Sequence, residues 1–243
     1  MSMNYPFLKR SYFEPIVKVV APTYNKAAPF PHAVIDDFLP DSMAQKITSL
    51  FPTPDLISFE QPDNEFQKNK LGRTQMNDFL GVPSYIRHFL SDMNNKVMID
   101  TLEQITGIKG LVPDPHFHGG ALHQILTGGK LAIHADFNKH PKLKLDRRLN
   151  VLIYFNPSWE ESFGGHLELW NKDMSECVNR IAPILNRCVI FNTTSTSYHG
   201  HPIALSCPPN RTRNSIALYY YTNGRPVHEV TDKHTTLWQE RPE

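Results

Sequence analysis

The stretch His134-Ala135-Asp136 carries two side chains that can bind a divalent metal ion. Side chains alternate between the two faces of an extended strand, so positions 134 and 136 would face the same way. Two histidines and one carboxylate on one face are a common ligand set for Fe(II), and this set leaves the opposite coordination positions open. The stretch therefore predicts two of three ligands and requires the third from another part of the chain.

The third ligand has two candidates, His199 and His201, which follow an apolar, strand-like run at residues 188–191. Both lie far along the chain from Asp136, so they would come from a different strand. The residues alone leave the choice between these two histidines open.

Arg213 stands at the beginning of a further strand-like run and adds a cation to the candidate site. By strand alternation its side chain shares a face with Ser215. A guanidinium offers paired donors that match the two oxygens of a carboxylate, so Arg213 is a candidate for binding a dicarboxylic acid. Arg211 is the weaker alternative because it lies further from the strand.

Length and composition are ordinary for a globular protein. The chain has 243 residues, of which 40% are hydrophobic and 20% charged, with a formal net charge of +1. This balance argues against nucleic acid as a partner, because nucleic-acid-binding domains carry a basic excess. No apolar run reaches the ~20 residues that span a bilayer, and the N-terminus lacks a secretory pattern. Three cysteines without paired spacing fit free thiols. We expect a cytoplasmic protein that binds no membrane, and its oligomeric state stays open.

Helical patterns precede the candidate site. Apolar residues recur at helical spacing after Asp41, and that helix is expected to end before Pro52. A second helical stripe begins near Ser84, and its polar stretch at 91–95 divides it into two helices. Gly107 is a C-terminal stop for the last of them. Amphipathic helices of this kind cover one face of a sheet.

The hydrophobic period changes from helical to strand-like at about residue 120. Short strands bounded by turn residues are expected at 31–39, 121–126, 130–136, 149–156, 166–170, 187–192 and 215–222. Strands at this spacing predict an antiparallel sandwich or barrel such as a jelly roll. The expected fold class is mainly β with flanking α.

The domain organisation is expected to be simple, since no internal repeat or linker separates a second domain. Residues 1–30 would form an N-terminal arm, laid over the domain or partly disordered. Residues 31–243 would form a single domain with a β core at about 120–222. Residues 55–80 are predicted to be a long loop or a strand pair, and Gly128-Gly129 a turn between strands.

Taken together, these motifs resemble the Fe(II)/2-oxoglutarate-dependent oxygenases, specifically the prolyl-4-hydroxylase-like branch. The resemblance covers about residues 120–222. It consists of the His134-Ala135-Asp136 pair, a distal histidine, Arg213-Asn214-Ser215, and the stretches 150–156 and 164–169. The first pair alone is a weak signal, but the whole set in this order is strong. The family fold is a double-stranded β-helix, or jelly roll, with N-terminal helices packed on the larger sheet, which agrees with the helix-first pattern.

The resemblance implies the iron chemistry. His134, Asp136 and His199 would bind Fe(II), and His201 would lie near the pocket mouth. The cosubstrates would be 2-oxoglutarate and O2, with ascorbate as an accessory reductant. Decarboxylation to succinate would accompany oxidation of the substrate. Because halogenating relatives lack the carboxylate, Asp136 favours hydroxylation.

The resemblance also implies a cosubstrate site. Arg213 would pair with the distal carboxylate of 2-oxoglutarate, Tyr154 would donate to the same carboxylate, and Ser215 would assist. Many relatives carry a tyrosine shortly before the metal-binding strand, where this chain has Leu126. Gln124, expected on the same face, would replace that contact.

Several other residues have two interpretations. Phe137 and Asn138 follow the metal pair and are weak candidates for the substrate pocket. The basic run at 139–148 is predicted to be a solvated loop, with steering of an anionic substrate as the alternative. The histidine cluster at 116, 118 and 123 is expected at a loop and strand edge, some of it lining the opening, with a separate zinc site as the alternative.

The resemblance leads to an expected function. The chain would be a dioxygenase that hydroxylates an unactivated C–H bond, with a prolyl residue of a peptide or protein as the first substrate. An amino acid, sugar or other small metabolite is the alternative substrate. A non-catalytic β-helix protein that binds a metal or ligand is the alternative from another class.

Overall fold

The computed structural model describes residues 5–53, 64–73 and 81–242, except for the side chains of 69–73. Four α-helices and eleven β-strands lie in these residues. The helices are α1 (Arg10–Tyr24), α2 (Asp41–Leu50), α3 (Ser84–Met93) and α4 (Lys96–Thr106). The strands are β1 (His32–Ile35), β2 (Gln67–Arg73), β3 (Val112–Pro113), β4 (Ala121–Ala135), β5 (Asp146–Tyr154), β6 (Leu167–Trp170), β7 (Cys177–Ile181), β8 (Cys188–Asn192), β9 (His199–His201), β10 (Arg213–Thr222) and β11 (Leu237–Trp238).

The strands form one antiparallel sheet that curls back on itself. The main pairing order is β1-β8-β5-β10-β4-β9-β6-β7, while β2 and β11 pair with β4 and β3 pairs with β10. Leu167 and Ile181, from one end of this path, pack against Tyr154 and Val189 near the other end. The sheet therefore encloses an interior, and the predicted jelly roll is confirmed.

The largest hydrophobic core lies between the helices and the outer face of the sheet. Phe89 and Leu102 of the helices belong to one cluster with Val151, Ile190 and Leu218 of the central strands. Burial of each such side chain contributes about 1.5–3 kcal/mol. This core holds the strands that carry the site, and the predicted packing of helices on the sheet is confirmed.

The predicted helices form close to their expected bounds. The α2 helix covers Asp41–Leu50, and the polar stretch does divide the later stripe into α3 and α4. Asn95 caps α4 by accepting hydrogen bonds from the backbone of Val97 at 2.8 Å and Met98 at 3.2 Å. Gly107 ends it in the left-handed conformation, with φ +76°.

Half of the predicted N-terminal arm, Arg10–Tyr24, forms the α1 helix, which the sequence pattern did not predict. Pro15 and Pro22 lie within this helix and obscured it in the sequence, because proline ordinarily breaks helices. Phe13 and Tyr24 are buried, and the Tyr24 hydroxyl donates to Asn192 at 2.8 Å. The helix also packs against α4 and is part of the core.

Two predicted strands are joined in β4, and Gly128-Gly129 lies inside this strand instead of forming a turn. The β2–β4 register is irregular beside the glycine pair. A Cβ at Gly129 would lie 2.7 Å from the carbonyl oxygen of Leu126, so the close backbone approach requires glycine. The pair forms a bulge, which a glycine pair in sequence does not distinguish from a turn.

Four short strands escaped prediction. β3, β7, β9 and β11 contain two to five residues each, too few for a clear alternation. β2 lies in the region predicted as a loop or strand pair, of which residues 55–63 and 74–80 lie outside the described residues. None of the helices in the described ranges is long and apolar enough to cross a membrane.

Candidate metal centre and cosubstrate pocket

A cavity of about 330 Å³ lies inside the β-helix, with walls from β4, β5, β9, β10 and β11. All the sequence-predicted site residues except Gln124 and Asn138 line it. These lining residues are His134, Asp136, Phe137, Tyr154, His199, His201, Arg213 and Ser215. The fold thus brings residues from distant parts of the chain to one interior surface.

The two histidines and the aspartate meet where β9 lies beside β4. Their strands pair His134 with His199, after a bulge that inserts one extra residue into β4. Nε2 of His134 lies 3.6 Å from Oδ1 of Asp136, and Nε2 of His199 lies 3.4 Å from Oδ2. The three ligand atoms lie within 4.8 Å of one another, and no other such cluster occurs in the described ranges. The two nitrogen–oxygen separations are below the roughly 4 Å that is the limit for two ligand atoms each about 2 Å from one ion.

Backbone contacts fix which nitrogen of each imidazole faces the cluster. Nδ1 of His134 lies 2.8 Å from the carbonyl oxygen of Ala132, and Nδ1 of His199 lies 2.9 Å from that of Ser197. A carbonyl oxygen accepts only, so each Nδ1 carries the proton and donates. Nε2 of each ring is then left with a free lone pair, which is the form that binds a metal.

Asp136 is held by two neighbouring side chains that the sequence did not single out. Oδ2 accepts a hydrogen bond from Nδ2 of Asn150 at 2.8 Å and pairs with Nη2 of Arg147 at 3.0 Å. The Arg147 guanidinium in turn lies 3.6 Å from the ring centre of Tyr219 and 4.4 Å from that of Phe137. Both aromatic contacts are within cation–π range.

The charges in this cluster favour metal ligands in their binding forms. Burial raises the pKa of Asp136, but Arg147 and the two histidines outweigh it and hold that pKa well below its usual range. Burial lowers the pKa of His199 to about 4, despite the opposing effect of Asp136. At neutral pH the aspartate is therefore ionised and the His199 imidazole is neutral.

Arg213 forms a second polar point in the same cavity. Its Nε donates to the carbonyl oxygen of Gly165 at 2.7 Å, and its Nη2 lies 3.4 Å from the Tyr154 hydroxyl. Ser215 pairs with Tyr154 across β10 and β5 and also lines the cavity. The arrangement is a buried guanidinium with two hydroxyls, which suits a carboxylate.

Gln124 does not line the cavity, and its predicted role is wrong. Its amide donates to the carbonyl oxygen of Pro52 at 2.8 Å and to Asn214 at 3.1 Å. The neighbours His123 and Ile125 face the cavity instead. The bulge between Leu131 and His134 adds one residue to β4 and so reverses the alternation of faces beyond it. Counting faces along an unbroken strand therefore places Gln124 on the wrong side.

Asn138 is a structural residue and does not line the pocket as predicted. Its side chain donates to Thr231 at 3.2 Å and to the backbone of Asp232 at 2.7 Å, and accepts from the backbone of His234 at 3.0 Å. These bonds fasten residues 231–241, the C-terminal segment, to the loop after β4.

The remaining histidines separate into two groups. His201 and His123 line the cavity, but neither belongs to the three-residue cluster. The rings of His116 and His118 lie 5.9 and 5.7 Å from that of His140. No second group of three close metal-ligand atoms occurs among the described residues, so the alternative of a zinc site finds no geometric support.

The C-terminal segment forms one wall of the cavity, which the sequence did not predict. Thr236 and Trp238 line the cavity, and the Trp238 ring lies 5.0 Å from that of His134. The indole also stacks on the Phe66 ring, with 4.8 Å between the ring centres. Further along, Arg241 pairs with the buried Glu168 at 3.1 Å.

Arg147, Asn150 and Trp238 are thus the site residues that the sequence analysis missed. Arg147 lay in a basic run predicted to be solvated, yet it is 1% exposed. Asn150 lay within a motif stretch without an assigned role. Arg147 and Asn150 lie three residues apart on β5, and both contact the carboxylate of Asp136. Their closeness in the sequence was the available signal that they act together.

Comparisons with known proteins agree with this geometry. The sequence model of the 2OG-Fe(II) oxygenase superfamily matches residues 120–221. No curated protein sequence matches the chain.

Solved structures share the fold at low sequence identity. A Trichoplax adhaerens prolyl hydroxylase, solved with a hypoxia inducible factor peptide fragment, is 19% identical over 87% of this chain and 91% of its own, with a TM-score of 0.60. A Pseudomonas putida prolyl-4-hydroxylase is 13% identical over 86% of this chain and 100% of its own, with a TM-score of 0.55.

HygX from Streptomyces hygroscopicus, solved with nickel, 2-oxoglutarate and hygromycin B, is 10% identical over 95% of this chain and 97% of its own, with a TM-score of 0.53. Residues 120–221 thus match the 2OG-Fe(II) oxygenase superfamily, and the chain shares its fold with solved prolyl hydroxylases and with HygX.

Proposed function

We propose that this protein hydroxylates an unactivated C–H bond, with a prolyl residue of a peptide or protein as the first candidate substrate. The observation that carries the proposal is the cavity shared by the cluster of His134, Asp136 and His199 and by the buried Arg213. The donor set of two imidazoles and one carboxylate fits Fe(II). The likeness in fold to two prolyl hydroxylases supports the substrate class.

Each side chain has a separate task in the proposed reaction. His134, Asp136 and His199 hold Fe(II), which together with 2-oxoglutarate supplies the oxidising power when bound. Arg213 pairs with the distal carboxylate of 2-oxoglutarate. Tyr154 donates a hydrogen bond from its hydroxyl to the same carboxylate, and Ser215 lies beside them. The surrounding apolar strands exclude water, which strengthens these charge interactions.

A small molecule is the second candidate substrate. The C-terminal segment supports it, because Thr236 and Trp238 occupy part of the cavity wall beside the metal cluster and narrow the approach to it. The likeness in fold to HygX, solved with hygromycin B, points the same way.

Succinate formation tests the reaction class. We expect succinate from 2-oxoglutarate when Fe(II) and O2 are supplied, and none from His199→Ala. His201→Ala is the matched control, since His201 lies in the same strand and cavity but outside the cluster. If the wild type forms no succinate, with or without added substrate, the proposal is wrong. The alternative, a non-catalytic binding protein of the same fold, would then be favoured.

A substrate screen tests the finer statement. Proline-containing peptides and a panel of amino acids, sugars and other metabolites are incubated with the loaded enzyme and analysed by mass spectrometry. Gain of one oxygen on a prolyl residue supports the first candidate. Gain of one oxygen on a metabolite, with none on any peptide, supports the second.

A further inference from the structure

We propose that Arg147 is a positioning residue that holds one oxygen of Asp136 and so presents the other oxygen to the metal. The inference rests on the proposed function, because it concerns the same metal site. It assigns a role to a buried arginine that the ligand set itself does not explain.

The two oxygens of Asp136 have different surroundings. Oδ2 receives the Asn150 amide at 2.8 Å and the Arg147 guanidinium at 3.0 Å, and it also lies 3.4 Å from Nε2 of His199. Oδ1 faces Nε2 of His134 at 3.6 Å, which is longer than a hydrogen bond. With Oδ2 bound by two donors, Oδ1 is the oxygen that can approach a metal without breaking a charge-assisted bond.

Arg147 is itself fixed before any ligand arrives. Its Nε and Nη2 both donate to Oδ1 of Asn150, at 3.1 and 2.7 Å. Its guanidinium contacts the rings of both Tyr219 and Phe137, and the side chain is 1% exposed. The group therefore has little freedom to turn, and the carboxylate that it contacts is held with it.

The same contacts argue against a direct role for Arg147 in binding an anionic substrate. The donor edge that carries Nε and Nη2 is already used by Asn150 and Asp136, and the guanidinium lies against the rings of Tyr219 and Phe137. A buried guanidinium is costly unless it is paired. Its place in the cavity is explained by the carboxylate of Asp136, which needs a counter-charge when no metal is bound.

Removing the carboxylate of Asp136 creates an empty position that tests the role of Arg147. In Asp136→Ala the donors of Arg147 and Asn150 remain, and they would bind an added carboxylate where the missing one stood. Formate, the smallest carboxylate, is the probe. Metal affinity is measured by calorimetric titration with Co(II), a divalent ion that is stable in air.

We expect Asp136→Ala to bind Co(II) at least tenfold more weakly than the wild type, and formate to restore much of that affinity. In Asp136→Ala combined with Arg147→Met, formate should restore none. Arg147→Lys in the same background keeps a charge but lacks the planar fork, so restoration should also be lost. Formate restoration that is equal with and without Arg147 would overturn the inference.

Arg147→Met alone gives a second readout. We expect about 10- to 100-fold weaker Co(II) binding, the range typical of residues that orient metal ligands. Arg148→Met is the matched control, because Arg148 is the neighbouring buried arginine and pairs with Glu229 instead of Asp136. Equal losses in both variants, or none in Arg147→Met, would contradict a positioning role.

The controls separate this inference from the proposed function. If the wild type binds Co(II) and His199→Ala does not, while Arg147→Met binds as tightly as the wild type, only the role of Arg147 is refuted. If the wild type itself does not bind Co(II) or Fe(II), the metal site and the inference fail together.

Discussion

Gly165 packs against the side chain of Arg213, and its lack of a Cβ leaves room for the guanidinium. Its φ is +72°, and a Cβ there would lie 2.5 Å from Cδ2 of Leu205 and 2.9 Å from Cδ of Arg213. Both atoms belong to movable side chains, so a methyl group would displace the arginine instead of being excluded. Gly165 therefore belongs to the proposed cosubstrate site although it carries no side chain.

We expect Gly165→Ala to weaken 2-oxoglutarate binding at least tenfold while sparing metal affinity. Gly164→Ala is a closely matched control, since its φ is +69° and its nearest heavy atom to a new Cβ is 3.8 Å away. Both variants should lose about 1–3 kcal/mol of stability, because a side chain is strained at the positive φ of each position. Calorimetric titration of 2-oxoglutarate against the metal-loaded protein distinguishes them, and equal affinities in the two variants would contradict the prediction.

A more direct prediction concerns Arg213 and Tyr154, the proposed partners of the distal carboxylate of 2-oxoglutarate. Arg213→Met should raise the dissociation constant of 2-oxoglutarate about 10- to 100-fold, because a charge-assisted hydrogen bond contributes about 1.5–3 kcal/mol. Tyr154→Phe should have a smaller effect, about 2- to 10-fold, since it removes one neutral donor. Arg211→Met is the control, because its Nη2 instead donates to the backbone of Pro157. An unchanged affinity in Arg213→Met would move the carboxylate site elsewhere.

At the scale of residues, local spacing in the sequence predicts the side chains that share one short stretch or begin a regular strand. His134 and Asp136 lie on one short stretch, and Arg213 begins a strand of clear alternation. Arg147 could not be separated from its basic neighbours, because burial of an arginine depends on rings supplied by other parts of the chain. Gln124 was placed on the wrong face because a bulge is invisible in the alternation pattern.

The loop between β4 and β5 is the element that connects the metal ligand Asp136 to its partner Arg147. It is organised around the buried His140, whose Nδ1 accepts from the backbone of Lys142 at 3.1 Å and Leu143 at 2.9 Å. Its Nε2 then carries the proton and donates to Asp114 at 3.2 Å. The loop thus depends on a neutral imidazole.

This dependence predicts a pH effect on stability. Burial lowers the pKa of His140 below the ordinary 6.5, despite the opposing effect of Asp114. The unfolded chain therefore takes up this proton at a higher pH than the folded protein does, so stability falls as the pH drops below 6.5. Unfolding by urea between pH 5 and 8 should show a weaker pH slope in His140→Asn than in the wild type. His228→Asn, at an exposed position, should keep the wild-type slope, and a common slope in all three would refute the explanation.

At the scale of elements, periodicity predicted those that bury a regular stripe. The α2, α3 and α4 helices and the long central strands met that condition. The α1 helix did not, since its two prolines and two buried residues give little pattern. β9 has three residues and exists because β4 and β6 flank it, which no local signal in the sequence records.

For the whole molecule, the C-terminal segment completes the cavity without belonging to the core. Asn138 fastens one end of this segment, and the Glu168–Arg241 pair fastens the other. Between them, β11 pairs with β4 beside the metal cluster. Polar contacts therefore hold this wall of the cavity in place. The segment can be removed without removing residues of the hydrophobic core.

We expect deletion of residues 231–243 to preserve folding and metal binding but to change turnover. With Thr236 and Trp238 gone, water would reach the site, and succinate formation without product hydroxylation should increase. The ratio of succinate to hydroxylated product measures this uncoupling. Arg241→Ala, which releases only the far end, should have a smaller effect, and an unchanged ratio in the deletion would contradict the assigned role.

The contact between Trp238 and His134 also makes the protein an optical reporter of its own metal site. Tryptophan emission is quenched by a nearby paramagnetic ion, and this indole lies 5.0 Å from the ring of His134. Titration with Fe(II) or Co(II) should dim the intrinsic fluorescence, and Trp238→Phe should remove that component of the response. Occupancy can then be followed in real time without a label, a substrate or turnover.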